Sequence, residues 1–338
     1  MRCYEYAKDG DAYRIVPTTR PDPMPGPGQA VMRVRAASLN YRDLIQLKNL
    51  AGRDVAGRIP LSDGAGEIVA IGTGVTNVTV GDRVMPNFFT GWTGGRFAMA
   101  HHATALGGPG CDGMLAELVA VPADALVPIP EHLSYEEAAS LPCAGVTAWQ
   151  SLAVRGQLKP GESILVLGTG GVSVFALQIG VAMGCPVYVT SGSEAKLERA
   201  TKLGAAHTIN YRTCPDWDKE ILRLTAKRGV DHVVEVGGGG TLAKSLASVA
   251  AGGHVALVGV LTGFGPPTES LFPAVAKNAT LSGIYVGSRE HFLELAAFIE
   301  RFRIRPAIDR VVPFDSASTA FDHLEAAGHF GKIVVAIS

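Results

Sequence analysis

The chain has 338 residues, a length that suits two domains of roughly 100–200 residues each and a large buried core. Lys and Arg number 30 against 31 Asp and Glu, a net charge of −1, which argues against a nucleic acid or an anionic membrane as partner, since both select a clustered basic surface. Five cysteines without a C-x-x-C pair speak against a disulfide framework and a zinc knuckle. The charges of Glu5, Lys8, Asp9 and Asp11 break any signal-peptide core, so a soluble, cytoplasmic protein is expected.

Residues 1–127 carry short β-type runs, Ala30–Ala36, Gly66–Gly72, Asp82–Pro86 and Leu115–Val121, with a turn cluster at Pro21–Gly28. This pattern predicts an all-β, barrel-like unit. Phe88–Gly113 is Gly-rich and aperiodic, which predicts a long loop bordering a cleft. From residue 128 strands and helices alternate. Strands are expected at Ser163–Leu167, Val187–Thr190, His207–Asn210, His232–Val236, His254–Val258 and Leu281–Val286, with helices at Val172–Met183, Glu194–Leu203 and Trp217–Ala226 between them. Such alternation predicts a parallel sheet covered on both faces, and six strands are the number in a complete dinucleotide-binding sheet. The apolar stretch Ile164–Val189 is interrupted by Gly168, Gly170, Gly171, Gly180, Gly184 and Pro186, which fits strand–turn–helix–strand rather than a membrane span. A further helix is expected at Phe292–Arg303, its Arg-rich end a solvated helix terminus, and strands at Arg310–Pro313 and Lys332–Ile337 should return to the first domain. The expected division is 1–127 with 289–338, and 128–288.

Ile164–Leu167 runs into Gly168-Thr169-Gly170-Gly171-Val172-Ser173 and then an apolar helix. A tight turn there lets backbone N–H groups meet a pyrophosphate at the positive end of a helix, where a side chain would hold the phosphates off. Gly168 and Gly170 match the first two glycines of G-x-G-x-x-G, and Ser173 stands at the third. The tip of the next strand chooses the dinucleotide. It reads Ser191-Gly192-Ser193 with Lys196 in the following turn, and no carboxylate to accept from a ribose 2′-hydroxyl. Serine donors and a lysine favour a 2′-phosphate, hence NADPH over NADH.

Gly64–Gly72, Val80-Gly81-Asp82-Arg83-Val84, Asp112–Glu117, Leu141–Ala148, the glycine loop and His329–Val334 together resemble the medium-chain dehydrogenase/reductase superfamily over nearly the whole chain. The resemblance implies a GroES-like β-barrel catalytic domain built from both termini and a Rossmann doubly wound parallel sheet, an α/β protein overall. Zinc alcohol dehydrogenases of that superfamily place Cys, His and Cys at the catalytic metal. Here those positions read Asn40, Ser62 and Cys143, and Phe88–Gly113 holds only Cys111 of a structural zinc lobe. One thiolate does not hold zinc, so no metal site is expected, and Cys143 reads as a small buried apolar residue. The chain is similar to the zinc-free quinone oxidoreductases. That likeness puts Gly192, Lys196 and Tyr211 at the 2′-phosphate, with Lys332 as a candidate extra base. It points to Asn40, Thr147, Val258-Gly259-Val260 and Tyr285-Val286 at the nicotinamide end.

Without zinc to polarise a simple carbonyl, the expected acceptors are already electrophilic: quinones or α,β-unsaturated carbonyls, whose reduced products are stabilised anions. Tyr41 and Asp43 are the candidates for relaying a proton. The expected activity is hydride transfer from NADPH to such a small molecule. The alternatives are an alcohol dehydrogenase or carbonyl reductase of the same superfamily, and a cofactor-binding protein with little turnover. The apolar last strand, Ala279–Val286, would lie at a sheet edge, where self-pairing makes a homodimer.

Overall fold

In a computed structural model, which describes residues 1–266 and 270–338, the chain begins with an antiparallel hairpin of β1 (Arg2–Asp9) and β2 (Ala12–Thr19). Then come β3 (Gln29–Ser38), α1 (Tyr41–Leu47), β4 (Asp63–Ile71), β5 (Arg83–Pro86), β6 (Leu118–Pro122), β7 (Leu126–Pro128) and α2 (Tyr135–Ala139). β3 is the centre of this region and pairs antiparallel with both β4 and β6. A helical run follows, with wide π-type turns at Leu141–Gly145 and Gln150–Arg155 on either side of α3 (Val146–Trp149).

The parallel sheet is built from β8 (Ile164–Leu167), β9 (Val187–Ser191), β10 (His207–Asn210), β11 (Val230–Glu235), β12 (Val249–Leu257) and β13 (Thr280–Gly283). Between them run α4 (Gly171–Ala182), α5 (Glu194–Lys202), α6 (Trp217–Leu224), α7 (Leu242–Ser248) and α8 (Phe272–Ala276). Every residue of β8 is buried, as a strand covered on both faces must be. The spatial order β10-β9-β8-β11-β12-β13 reverses between β8 and β11, the switch point at whose carboxyl edge dinucleotides bind in doubly wound sheets.

The remaining elements are α9 (Arg289–Phe302), β14 (Ile308–Pro313), α10 (Ala317–Glu325) and β15 (Lys332–Ala336). β15 pairs with β3 and gives the order β14-β15-β3-β4-β5-β7. The tail therefore rejoins the first β region. Two compact units result, Met1–Val146 with Gly287–Ser338, and Thr147–Val286. The first unit runs past the boundary expected at residue 127, because α2 packs on β3 and β4 and the Cys143 N–H bonds to Asp63.

Each unit has its own apolar core. Met32, Leu39, Ile68, Phe321 and Ile333 belong to that of the first, and Leu165, Trp217, Ile221, Val233 and Val255 to that of the second. The aperiodic segment 88–113 is anchored by aromatic packing: Phe88, Phe89 and Trp92 are buried, and the His101 ring stacks on Trp92 with centroids 5.9 Å apart.

Candidate functional site

In the second unit, the residues singled out from sequence follow the carboxyl ends of neighbouring parallel strands. Gly168–Val172 follow β8, Ser191 ends β9 with Gly192 and Ser193 after it, Tyr211 follows β10, and Val258–Val260 follow β12. Tyr285 and Val286 come just after β13, Tyr285 half-exposed and Val286 buried with φ +54°. Gly168 has φ +72°, a conformation that side chains resist. Among the described residues a Cβ on Gly170 would meet nothing within 4 Å, which leaves room there for a group approaching the N–H groups at the start of α4. Ser173 replaces the third glycine without loss, for its hydroxyl donates to the Leu167 carbonyl at 2.7 Å. Close helix–strand packing falls instead to Gly180, where a Cβ would stand 2.7 Å from side-chain carbons of Ile164 and Val187. Thr147 is buried, and its carbonyl accepts from the Ser151 hydroxyl.

Sequence reading missed two features of this edge. The Glu235 carboxylate, fully buried at the end of β11, accepts from the N–H groups of Gly237 (2.7 Å) and Gly238 (3.0 Å), from Thr241 Oγ1 (2.6 Å) and from Ser245 Oγ. The Glu235 carbonyl also accepts from the Val258 N–H. One acid thereby fixes the glycine turn after β11 and the first turn of α7, and its only sequence signal was a strand-end Glu before four glycines. The second missed residue is Arg212, whose Nε would lie 2.9 Å from a Cβ on Gly192.

In the first unit a buried polar cluster forms around Asn40, Ser62 and Cys143, the three positions that the resemblance sets against metal ligands. Lys332, expected at the cofactor phosphate, stands here instead. It is 3% exposed, because β15 pairs with β3 and turns the side chain under the β3–α1 junction. Its Nζ donates to the Leu39 carbonyl and to Asn40 Oδ1, both at 2.5 Å, and lies 3.8 Å from Asp63 Oδ2. Asp63 also accepts from Ser62 Oγ (2.7 Å) and from the Cys143 N–H (3.1 Å). Asp43 accepts from the Asn40 N–H at 2.8 Å and faces Arg42. It is fully buried, so it holds the β3–α1 turn, whereas Tyr41 is 39% exposed.

The electrostatics follow from burial. Desolvation lifts the Asp43 carboxyl to about 6 against the pull of Arg42. It raises Asp63 as well, opposed by the Lys332 ammonium. Burial, and then the Asp63 charge, push the Cys143 thiol far up, so that it stays protonated at neutral pH. Asn40 Nδ2 is buried without a hydrogen-bond partner among the described residues.

Comparison with known proteins gives this arrangement a family. The Alcohol dehydrogenase GroES-like domain family matches residues 26–131, and the Zinc-binding dehydrogenase family matches residues 171–301. A zinc-type alcohol dehydrogenase-like protein of Schizosaccharomyces pombe is 44% identical over 317 residues, covering 92% of this chain and 91% of the relative. The chain belongs to the medium-chain dehydrogenase/reductase superfamily. Among solved members, a Sinorhizobium meliloti 1021 protein with the provisional name alcohol dehydrogenase is 38% identical, with a TM-score of 0.92 over 99% of both chains. An NAD-dependent alcohol dehydrogenase is 32% identical, with a TM-score of 0.88 over 100% of both. This medium-chain dehydrogenase/reductase is thus an oxidoreductase with a GroES-like region and a Rossmann-like parallel sheet. Among the described residues no helix is long and apolar enough to cross a membrane.

Proposed function

We propose that this medium-chain dehydrogenase/reductase transfers hydride from NADPH to a quinone or an α,β-unsaturated carbonyl without catalytic zinc, as a cytoplasmic homodimer. The donor set around Asn40 supports the reading most directly. A catalytic zinc needs three protein ligands drawn from thiolate, imidazole and carboxylate. Of the three ligand positions, Asn40 turns its carbonyl oxygen to a lysine ammonium, Ser62 spends its hydroxyl proton on Asp63, and Cys143 alone offers a thiol. The Lys332 cation beside them further disfavours a divalent ion. These residues do not fit zinc.

They do fit a dinucleotide. The backbone of Gly168, Thr169, Gly170, Gly171 and Val172 would hold the pyrophosphate. Ser191, Gly192, Ser193, Lys196 and Tyr211 would hold the 2′-phosphate, and Thr147, Val258, Gly259, Val260, Tyr285 and Val286 the nicotinamide end. When bound, the reduced nicotinamide supplies the hydride. The protein's part is to orient the small-molecule acceptor, exclude water and stabilise the oxygen that gains charge. Asn40 Nδ2 is a neutral donor suited to that oxygen, and Tyr41 is the more accessible candidate for returning a proton. Asp43 serves by holding Asn40 in place.

The test is NADPH oxidation with 1,4-benzoquinone by chelator-treated protein assayed for metal. Turnover without metal, with NADH the poorer donor, is expected; activity that returns only with added zinc overturns the reading. The relatives named alcohol dehydrogenase favour a second reading, oxidation of a saturated alcohol, which the same protein would show with an alcohol and NAD(P)+.

The homodimer reading draws on β13, the edge strand of the parallel sheet. Leu281 on that strand and Phe272 and Val275 on α8 are exposed, the last at 73%, an apolar margin of the kind that pairs with its copy.

A further inference from the structure

The ends of β9 and β10 are brought side by side by their register, which sets Asn210 opposite Ser191. The Tyr211 N–H then donates to the Ser191 carbonyl at 3.1 Å, and the Arg212 N–H donates to Asn210 Oδ1 at 3.0 Å. Residues 211 and 212 are thereby held beside residues 191–193. Their side chains lean over Gly192, where a Cβ would stand 2.8 Å from Tyr211 Oη and 2.9 Å from Arg212 Nε. Gly192 does not have a left-handed φ, so what demands glycine here is room for these two polar groups, not backbone conformation.

Arg212 is exposed, and among the described residues its guanidinium forms no ion pair. Glu194, the first residue of α5, accepts from Asn210 Nδ2 at 2.5 Å. The tip of β9 thus offers a guanidinium, a phenol and the hydroxyls of Ser191 and Ser193, and the one carboxylate beside them among the described residues, that of Glu194, is engaged by the Asn210 amide. A ribose diol calls for an acceptor at this point. A phosphomonoester dianion calls for donors and positive charge, which a guanidinium fork supplies better than an ammonium.

We propose that Arg212 is the specificity-determining residue for the cofactor, selecting a 2′-phosphate over a 2′-hydroxyl, with Gly192 kept side-chain-free so that Arg212 and Tyr211 can close over it. This rests on the NADPH reading above and goes beyond it. The superfamily resemblance assigns Gly192, Lys196 and Tyr211 to the phosphate and says nothing of Arg212.

The experiment is direct binding in the full-length protein, by nucleotide fluorescence and calorimetry, of NADPH, NADH and 2′,5′-ADP. The wild type is compared with Arg212→Ala, Arg212→Lys, Gly192→Ala and Lys196→Ala. Arg212→Ala should weaken NADPH and 2′,5′-ADP by about 10- to 100-fold, as loss of charge-assisted bonds does, and leave NADH within about twofold. Arg212→Lys should recover only part of the loss, because an ammonium cannot form the fork. Gly192→Ala should weaken NADPH more than NADH by displacing both side chains. A wild type that binds NADH as tightly as NADPH overturns the NADPH reading. A selective wild type whose Arg212→Ala variant is equally selective overturns the role of Arg212 alone, and loss of selectivity in Lys196→Ala only would move that role to Lys196.

Discussion

Lys332 Nζ donates to Asn40 Oδ1 at 2.5 Å, and this bond decides which way the Asn40 amide faces. An ammonium only donates, so the amide oxygen must turn to it and Nδ2 must turn away. The same ammonium is the counter-charge for fully buried Asp63. Replacing it by Lys332→Met should cost about 3–5 kcal/mol in urea unfolding, the range for breaking a buried pair and stranding one charge. The double variant Lys332→Met/Asp63→Asn should recover much of that loss, since it leaves no stranded carboxylate. Equal destabilisation by the single and double variants would show that Lys332 acts through packing.

Glu235 plays a similar part in the second unit, with four donors converging on one buried carboxylate. Glu235→Ala leaves Thr241, Ser245 and two glycine N–H groups without their acceptor, at about 1–3 kcal/mol for each buried group left unsatisfied. Thermal unfolding should fall steeply, and dinucleotide affinity should fall with it, because the glycine turn is no longer held. Glu235→Gln should lie between, as its amide keeps one acceptor and brings two donors where only acceptors are wanted.

Much of the architecture was legible in the sequence because local pattern and tertiary role agree. β10 spans His207–Asn210, the same four residues expected from the alternation of strands and helices, and the glycine loop sits between a strand and a helix as its spacing requires. The hairpin β1–β2 was not legible. Its partly exposed strands include Lys8, Asp9, Arg14 and Pro17 and show little of the alternation that marks a strand. Lys332 was misplaced for a different reason. The resemblance offered it as the nearest basic residue for the cofactor phosphate, and only the pairing of β15 with β3 shows that it is buried under Asn40. Arg212 escaped notice because it follows a strand whose register with β9 alone brings it over Gly192.

His254 makes the second unit sensitive to acid. Burial, with the neighbouring His232 and then Arg155, lowers its pKa from 6.5 to about 4, and both its ring nitrogens lack hydrogen-bond partners among the described residues. The unfolded chain takes up this proton near 6.5 and the folded chain only near 4, so stability is full above 6.5 and is lost as pH falls through that window, by about 3 kcal/mol. Asp43 has the opposite slope. Its raised pKa contributes stability below the unfolded value that disappears as pH rises through about 6. Urea unfolding of His254→Leu should be no less stable than wild type at pH 7 and should hold its stability better between pH 6.5 and 4. An unchanged acid slope would place the sensitivity elsewhere.

The proposed dimer makes a separate demand on the edge of the parallel sheet. Among the described residues β13 is the edge strand of the parallel sheet, with Leu281 41% exposed on it and Phe272 65% exposed on α8. Water around such an apolar margin is released when a second copy covers it, and strand pairing supplies the direction. An inserted charge resists desolvation and repels its twofold-related copy, so Leu281→Lys with Phe272→Asp should yield monomer at micromolar concentration by light scattering. Both positions face solvent, so each protomer should keep its fold and its affinity for the dinucleotide. A wild type that is already monomeric, or a variant that stays dimeric, would move the interface away from β13.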